Sequence, residues 1–429
     1  MGTKNYNNYS DMITFTRAST GTYLDSDGLL KSAATNTPRV EYDYQGNRLG
    51  LLVEEARTNL QTYSDFSTSW AAIGATRTYN AATSPDGTSN STLIQLQNTS
   101  GAHVVEAFIN PIVSGASYAF SLFAKKGTSR YIALGGSSAG NICAWAVFDL
   151  ETGTITEQTV TGAATLSQAK CVETANGFFR CSIVVTLPAT SCYFSMGVVT
   201  NATPTIVTWA GEQYTALGSE TVFVYGAQVE AGSFPTSYIP TSGATATRSA
   251  DVASIGVGAF GYNKTAGSVL VEATYNADPT LSSYIVEFSD GTAQNNHFLF
   301  CNGSPITARV TTSGTLEANL QVTGATPVSQ GHNFKASYAL SEDNFNLAID
   351  GSLAAGDTSV SVPTVNNLFV GSRLGSGYMF TGHISSIAYY PRRLTDAQIK
   401  ALTSPPETPT LSLAFDDSST SYLETSIHG

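Results

Sequence analysis

The sequence predicts an all-β chain organised as two antiparallel β-sandwiches, an N-terminal anchoring segment and an extended acidic C-terminal tail. Three observations lead there. Short runs alternate apolar and polar side chains across most of the 429 residues, which is the period of a strand with one face buried. Turn signals such as Lys126-Gly127, Glu151-Thr152-Gly153, Asn176-Gly177 and Pro188 punctuate these runs at the close spacing of sandwich strands. Helix signals are confined to one short segment near the C-terminus. A chain of this length also exceeds what a single all-β core organises, so two or three domains are expected.

Residues 1–60 are turn-rich, with short apolar pieces (Ile13, Phe15; Leu51, Leu52, Val53) between Asp-Gly and Gln-Gly-Asn turns. Arg17, Arg39 and Arg57 lie among carboxylates such as Glu41, Asp43, Glu54 and Glu55. Either they pair with those acids and pin a thinly cored segment, or they dock the segment onto another protein. Residues 61–248 read as the first sandwich, a jelly roll. Examples of its strands are 117–127, 130–136, 141–150, 178–187, 192–200 and 220–230. Residues 249–404 read as the second, with strands or strand–turn units at 267–277, 283–291, 297–303, 333–340, 344–351, 366–373 and 382–394. A capping box from Thr395 to Gln398 then starts a helix that puts Ile399 and Leu402 on one face. Residues 405–429 open with Pro405 and Pro406 and carry Leu411, Leu413 and Phe415 among four acids and no Lys or Arg. Such a tail has too little apolar surface to core itself. Leu411 and Phe415 are its candidate assembly contacts.

Composition narrows the function. Charged residues make up 12 % of the chain, about half the usual quarter. Such a surface is built from Ser, Thr, Asn, Gln and Gly, whose hydroxyls and amides suit hydrogen bonding to sugars. The net charge of −12 leaves no basic stripe to neutralise phosphates, which argues against nucleic acid. No 18-residue apolar window is present, so no membrane span is expected. The N-terminal MGTKNYNNYSDM has no apolar run after its lysine, so no signal peptide is expected. The five cysteines (Cys143, Cys171, Cys181, Cys192 and Cys301) form no C-x-x-C pair, so zinc is not expected. They read as buried thiols, with a disulfide among the four in the first sandwich as the alternative.

Residues 223–251 read FVYGAQVEAGSFPTSYIPTSGATATRSAD. A strand over Phe223–Gln228 runs into a Gly/Ser/Pro/Thr segment that neither continues sheet nor starts helix. It ends at Arg248, and a shorter version of that ending, Thr16-Arg17-Ala18-Ser19, lies near the chain start. The stretch therefore reads as a domain hinge with a partner at the N-terminus. This pattern, and FTRASTGTYLDSDGLLKSAATNTPRVEYD from Phe15, resemble bacteriophage virion proteins of the tail-fibre, head-fibre and adhesin type. The order SLFAKKG, VFDLETGTI, NGFFRCS, VYGAQVEAGS is similar to carbohydrate-binding-module-like jelly rolls in phage fibres. Gly177-Phe178-Phe179-Arg180 stands where those often have Gly-Trp-Tyr before the arginine. The ending NNLFVGSRLGSGYMFTGHISSIAYYPRRLTDAQIKAL resembles laminin-G/concanavalin A-like sandwiches. The resemblance implies a virion surface protein made in a bacterial cytoplasm, with other virion proteins, its own copies as a homo-oligomer, and host surface glycans as partners.

Catalytic patterns are sought and mostly missing. Gly136-Ser137-Ser138-Ala139-Gly140 fits G-x-S-x-G, but an alternating strand follows where a nucleophile elbow needs a helix, so it reads as a β-turn. The E-x-D-x-x-E strand of glucanases with the concanavalin A-like fold does not occur; Glu342 and Asp343 are neighbours and would face opposite ways. Asp25-Ser26-Asp27-Gly28 starts like a calcium loop but lacks the later ligands and reads as a tight turn. Laminin-G-like domains sometimes bind structural calcium through scattered Asp, and Asp290, Asp350 and Asp357 are the residues that would serve; no metal site or cofactor is expected. Sugar binding wants flat aromatic faces beside amides and carboxylates. Trp145 alternates with Cys143 and Val147 and reads as core, as does Trp70 near Phe66. The candidate platforms are Trp209 and Tyr214 with Glu212 and Gln213 as hydrogen-bonding neighbours, and Tyr378 in the second sandwich. The expected function is non-enzymatic attachment as a fibre, adhesin or decoration protein. A purely structural virion component and a glycan-degrading depolymerase are the alternatives.

Overall fold

The computed structural model describes residues 13–405 apart from 68, 140, 209–210, 279, 302–304 and 325–327. Its described residues form antiparallel sheets and one α-helix, with two short 3-10 turns. The first sandwich stacks two six-stranded sheets. Sheet I runs Thr154–Thr161, Ile142–Asp149, Tyr131–Ser138, Cys192–Val199, Val104–Ile109, Trp70–Ile73. Sheet II runs Thr165–Glu173, Phe179–Thr186, Ser117–Lys126, Thr221–Ala231, Ser89–Leu96, Ala75–Thr83. Alternation does the work. Ile132 and Leu134 of sheet I and Phe120, Leu122, Ile183 and Val185 of sheet II fill one core. Phe120 stacks on Phe194 across it, centroids 4.9 Å apart. Each such side chain contributes about 1.5–3 kcal/mol by leaving water.

The second sandwich stacks two seven-stranded sheets, and the N-terminal segment is woven into both. Sheet III runs Thr14–Thr16, Val252–Gly256, Asn367–Val370, Ser283–Ser289, Asn296–Cys301, Ile306–Thr312, Thr315–Gln321. Sheet IV runs Ser352–Leu353, Asn344–Ile349, His332–Ser341, Ala266–Tyr275, Gly382–Tyr390, Arg48–Val53, Arg39–Tyr42. The pieces read as thinly cored, Phe15 and Val53, belong to this sandwich's core. Helix α1, Asp396–Thr403, has the expected capping box and packs Ile399 and Leu402 with Leu394, Ala339 and Ala348. Gly136–Ser138 complete a strand of sheet I rather than a turn. Trp70 packs with Phe66 and Phe194. Trp145 is buried too, but on the face of sheet I away from the main core, with Cys143 and Val147.

The stretch read as a hinge is a filled, ion-paired seam. Thr14–Thr16 pairs with Val252–Ser254, and the Ser19 hydroxyl accepts the Ser249 N–H at 2.9 Å, so the two Thr-Arg endings lie side by side. Arg17 meets Asp251 at 3.0 Å, and Arg39 meets both Asp251 and Glu54, the latter at 2.8 Å. Arg248 reaches Glu54 at 3.0 Å. The side chains of Arg17 and Arg39 are 0 % exposed, so the assembly role considered for them is corrected: both point inward, and their charges are spent on the seam. Arg57 pairs with Glu55 and covers the Phe234 ring at 4.7 Å. The guanidinium of Arg57 also donates to the Ala231 carbonyl. Leu411 and Phe415 lie outside the described residues.

Candidate functional site

The outer face of sheet III carries a second layer of aromatics, separate from the sandwich core. Leu299, Cys301, Ile306 and Ala308 point into the core. Their alternates Phe298 and Phe300 point the other way and cluster with Tyr284. Strand register aligns them in two transverse rows. One runs Phe369, Glu287, Phe298, Arg309, Asn319. The next runs Tyr284, Phe300, Thr307, Gln321. Ring centroids are 4.6 Å apart for Tyr284–Phe298, 5.5 Å for Tyr284–Phe300 and 5.3 Å for Phe298–Phe300.

A tight loop roofs one end of this face. Gly371, Leu374, Gly375 and Tyr378 all take positive φ, and Arg373 and Gly377 exchange backbone hydrogen bonds at 2.7 and 3.0 Å. The Tyr284 N–H donates to the Tyr378 carbonyl at 2.9 Å. Tyr378 sits at φ +48°, a conformation that costs a residue with a Cβ about 1 kcal/mol or more. The loop holds its ring 5.8 Å from Tyr284 while leaving the residue 54 % exposed. The Arg373 guanidinium lies 5.7 Å from the Tyr284 ring and 5.6 Å from the Tyr378 ring. Arg309 lies 4.5 Å over Phe300, with its Nε–H donating to Asn319 at 2.7 Å.

Beneath the loop lies Glu287, fully buried. It accepts the Leu374 N–H at 2.6 Å and the Asn296 amide at 3.3 Å. Burial pushes its carboxyl up to about 7, against the pull of the Leu374 N–H, the Arg373 charge and Asn296. Arg373 Nε and Asn296 Oδ1 have no hydrogen-bond partner among the described residues. The site thus offers a rigid exposed ring on an aromatic base, guanidinium donors and amide groups. Those are the parts that suit a pyranose, with its apolar face and rim of hydroxyls.

The structure brings Tyr378 to this cluster and places the other sequence candidates elsewhere. Trp209 lies outside the described residues. Tyr214 is half-buried against His103, centroids 4.7 Å apart, and its hydroxyl donates to the Val198 carbonyl at 3.2 Å. Both Glu212 oxygens are held by Thr200, at 2.7 Å each. Alternation along Gly211–Thr215 separates exposed Gln213 from these two. Tyr214 and Glu212 are thus each engaged by neighbours within the first sandwich. Asp290, Asp350 and Asp357 sit in separate turns, where Asp290 and Asp357 bind the N–H groups of Thr292 and Ser359 and Asp350 binds that of Lys335. Asp25 closes a tight turn through the Asp27 and Leu29 N–H groups. No group of three or more His, Cys, Asp or Glu that would hold a metal occurs among the described residues. Sequence reasoning missed Tyr284, Glu287, Phe298, Phe300, Arg309 and Arg373. The available signal was HFLFC at 297–301, a strand too apolar on both faces for a simple sandwich wall.

No protein-family model matches the chain, and no curated protein matches it. Among solved structures it is similar to the Ruminococcus gnavus IT-sialidase CBM40 bound to alpha2,3 sialyllactose, at 16 % identity and a TM-score of 0.30, over 33 % of this chain and 84 % of that one. It is also similar to a SAP-like pentraxin from Limulus polyphemus, at 12 % identity and a TM-score of 0.27, over 38 % and 80 % of the two chains. Sheep galectin-11 matches at 15 % identity and a TM-score of 0.23, over 32 % of this chain and 96 % of its own.

Proposed function

We propose that this chain is a non-enzymatic bacteriophage surface protein that attaches to host surface glycans through the outer face of sheet III. The observation that carries the binding half is Tyr378, an exposed ring held at positive φ on a buried aromatic base beside Arg373. A conformation that costs energy and shows a large apolar ring to water serves a contact outside the fold. The phage half rests on the residue pattern of 223–251 and the N-terminal segment. The protein belongs on the virion, as a homo-oligomer joined to other virion proteins. The non-enzymatic part of this reading is supported by Glu287 being the one carboxylate in the two rows, since most glycosidases work with a pair.

The test is Tyr378→Ala. Stacking a sugar on an aromatic face is worth roughly 1–3 kcal/mol, so binding to host cells or their purified surface polysaccharide falls about tenfold or more while the melting curve stays put. Unchanged binding by the folded variant overturns the assignment. Release of reducing ends by the wild-type protein overturns the non-enzymatic reading and favours a depolymerase.

A further inference from the structure

We propose that Cys171 and Cys181 are a cross-strand disulfide site, a staple that closes when the protein meets an oxidising medium. The two residues are direct partners in the antiparallel pairing of Thr165–Glu173 with Phe179–Thr186. Their sulfurs lie 3.8 Å apart, and χ1 rotation of two directly paired cysteines brings sulfurs at that separation into bonding range. The pair is also asymmetric. Cys181 is buried in the first sandwich's core, whereas Cys171 is partly buried against it. Cys143, Cys192 and Cys301 are buried, and burial pushes the Cys192 and Cys301 thiols up to about 12. Reactivity therefore belongs to Cys171.

The chemistry is thiol–disulfide exchange with a small disulfide such as oxidised glutathione. The Cys171 thiolate attacks it, forming a mixed disulfide and releasing one glutathione thiolate. Cys181 loses its proton and attacks the Cys171 sulfur, and the second glutathione thiolate leaves. Two thiols lose two protons and two electrons; one oxidised glutathione becomes two reduced ones.

The position matters because Thr165–Glu173 is the edge of sheet II and touches the rest of the molecule. Gln168 bonds Gln330 of the second sandwich. Edge strands are the first part of a sheet to fray or to pair with another chain. A bond to the neighbouring strand secures the one that touches the second sandwich through Gln168.

The full-length protein is incubated folded with oxidised glutathione, alkylated in denaturant and digested with trypsin. Cleavage after Lys170 and Arg180 puts the two cysteines on different peptides. The expected result is a cross-link joining the peptide 171–180 to the one that begins at 181. It disappears in Cys171→Ser and Cys181→Ser and persists in Cys192→Ser. Amide exchange over 165–173 slows about tenfold on oxidation in wild type and not in Cys171→Ser. Five alkylated cysteines after oxidation, a cross-link that survives Cys181→Ser, or unchanged exchange in the cross-linked protein overturns the proposal.

Discussion

Replacing Glu54 by Gln removes one charge from the seam and almost no volume. Glu54 is buried. It accepts the Ser237 N–H and hydroxyl at 2.7 Å each, and it meets Arg39 at 2.8 Å and Arg248 at 3.0 Å. Burial alone would raise its carboxyl; Arg248, Arg39 and Ser237 outweigh that and hold it at about 2 instead of its ordinary 4.5. At 1.36 kcal/mol per pH unit, that difference corresponds to about 3 kcal/mol of folding stability at neutral pH. A second route gives the same size: breaking a buried ion pair by removing one partner costs about 3–5 kcal/mol. Because the folded carboxyl sits below its unfolded value, the contribution is complete above pH 4.5 and is lost as the pH falls through 2. Urea unfolding of both proteins at pH 7, 4 and 2.5 should show a gap of about 3 kcal/mol at pH 7 that narrows steadily below pH 4.5. The seam joins both sandwiches, so the variant should also unfold in two steps where wild type shows closer coupling. A gap that is equally wide at pH 7 and 2.5 would mean a packing defect and would refute the electrostatic account.

Three further outcomes follow from named contacts. Glu287 carries the opposite sign: its carboxyl is raised to about 7, so its favourable state exists below pH 4.5 and is lost as the pH rises through 7. Glu287→Gln should therefore match wild type at pH 4 and be about 1–3 kcal/mol more stable at pH 8, by urea titration at both. Gly232 takes φ +139°, and a methyl there would run into the Arg57 guanidinium; Gly232→Ala should lower the melting midpoint by several degrees through loss of the Ala231–Arg57 contact. Gly135 lies directly beneath the Trp145 indole, so Gly135→Ala should displace that ring, shift the tryptophan emission and cost about 1–3 kcal/mol.

Strand existence was largely legible. The runs read at 117–127, 141–150 and 344–351 appear as Ser117–Lys126, Ile142–Asp149 and Asn344–Ile349, because period-two alternation is a local property. Pairing is not local. Leu51 and Leu52 looked uncored because their partners, Ile384 and His383, are over 300 positions away. The seam shows the same limit. Glu54 was a visible neighbour for Arg39, but Asp251, which binds both Arg17 and Arg39, becomes a neighbour only after Thr14–Thr16 joins sheet III.

The site was legible only at Tyr378, where a Gly-Ser-Gly-Tyr loop advertises itself. Its companions were hidden by one irregularity. Strict alternation from Tyr284 puts Glu287 on the opposite face of the strand. In the sheet, Tyr284 pairs with Phe300, Val286 with Leu299 and Glu287 with Phe298, so Ile285 is an extra residue on its strand. Such a bulge bends the strand and resets its faces. It sends both Ile285 and Val286 into the core and returns Glu287 to the side of Tyr284, under the loop that carries Arg373. Bulges have no composition of their own in a run such as SYIVEFS, since each of its apolar residues fits either face. What selects the bulged register is the demand of the neighbours: Leu299 and Val370 need Val286 inward, and the Leu374 N–H needs an acceptor oxygen at 287. The candidate face is therefore a consequence of sheet register, and a residue pattern that ignores register will find the exposed ring and miss the floor beneath it.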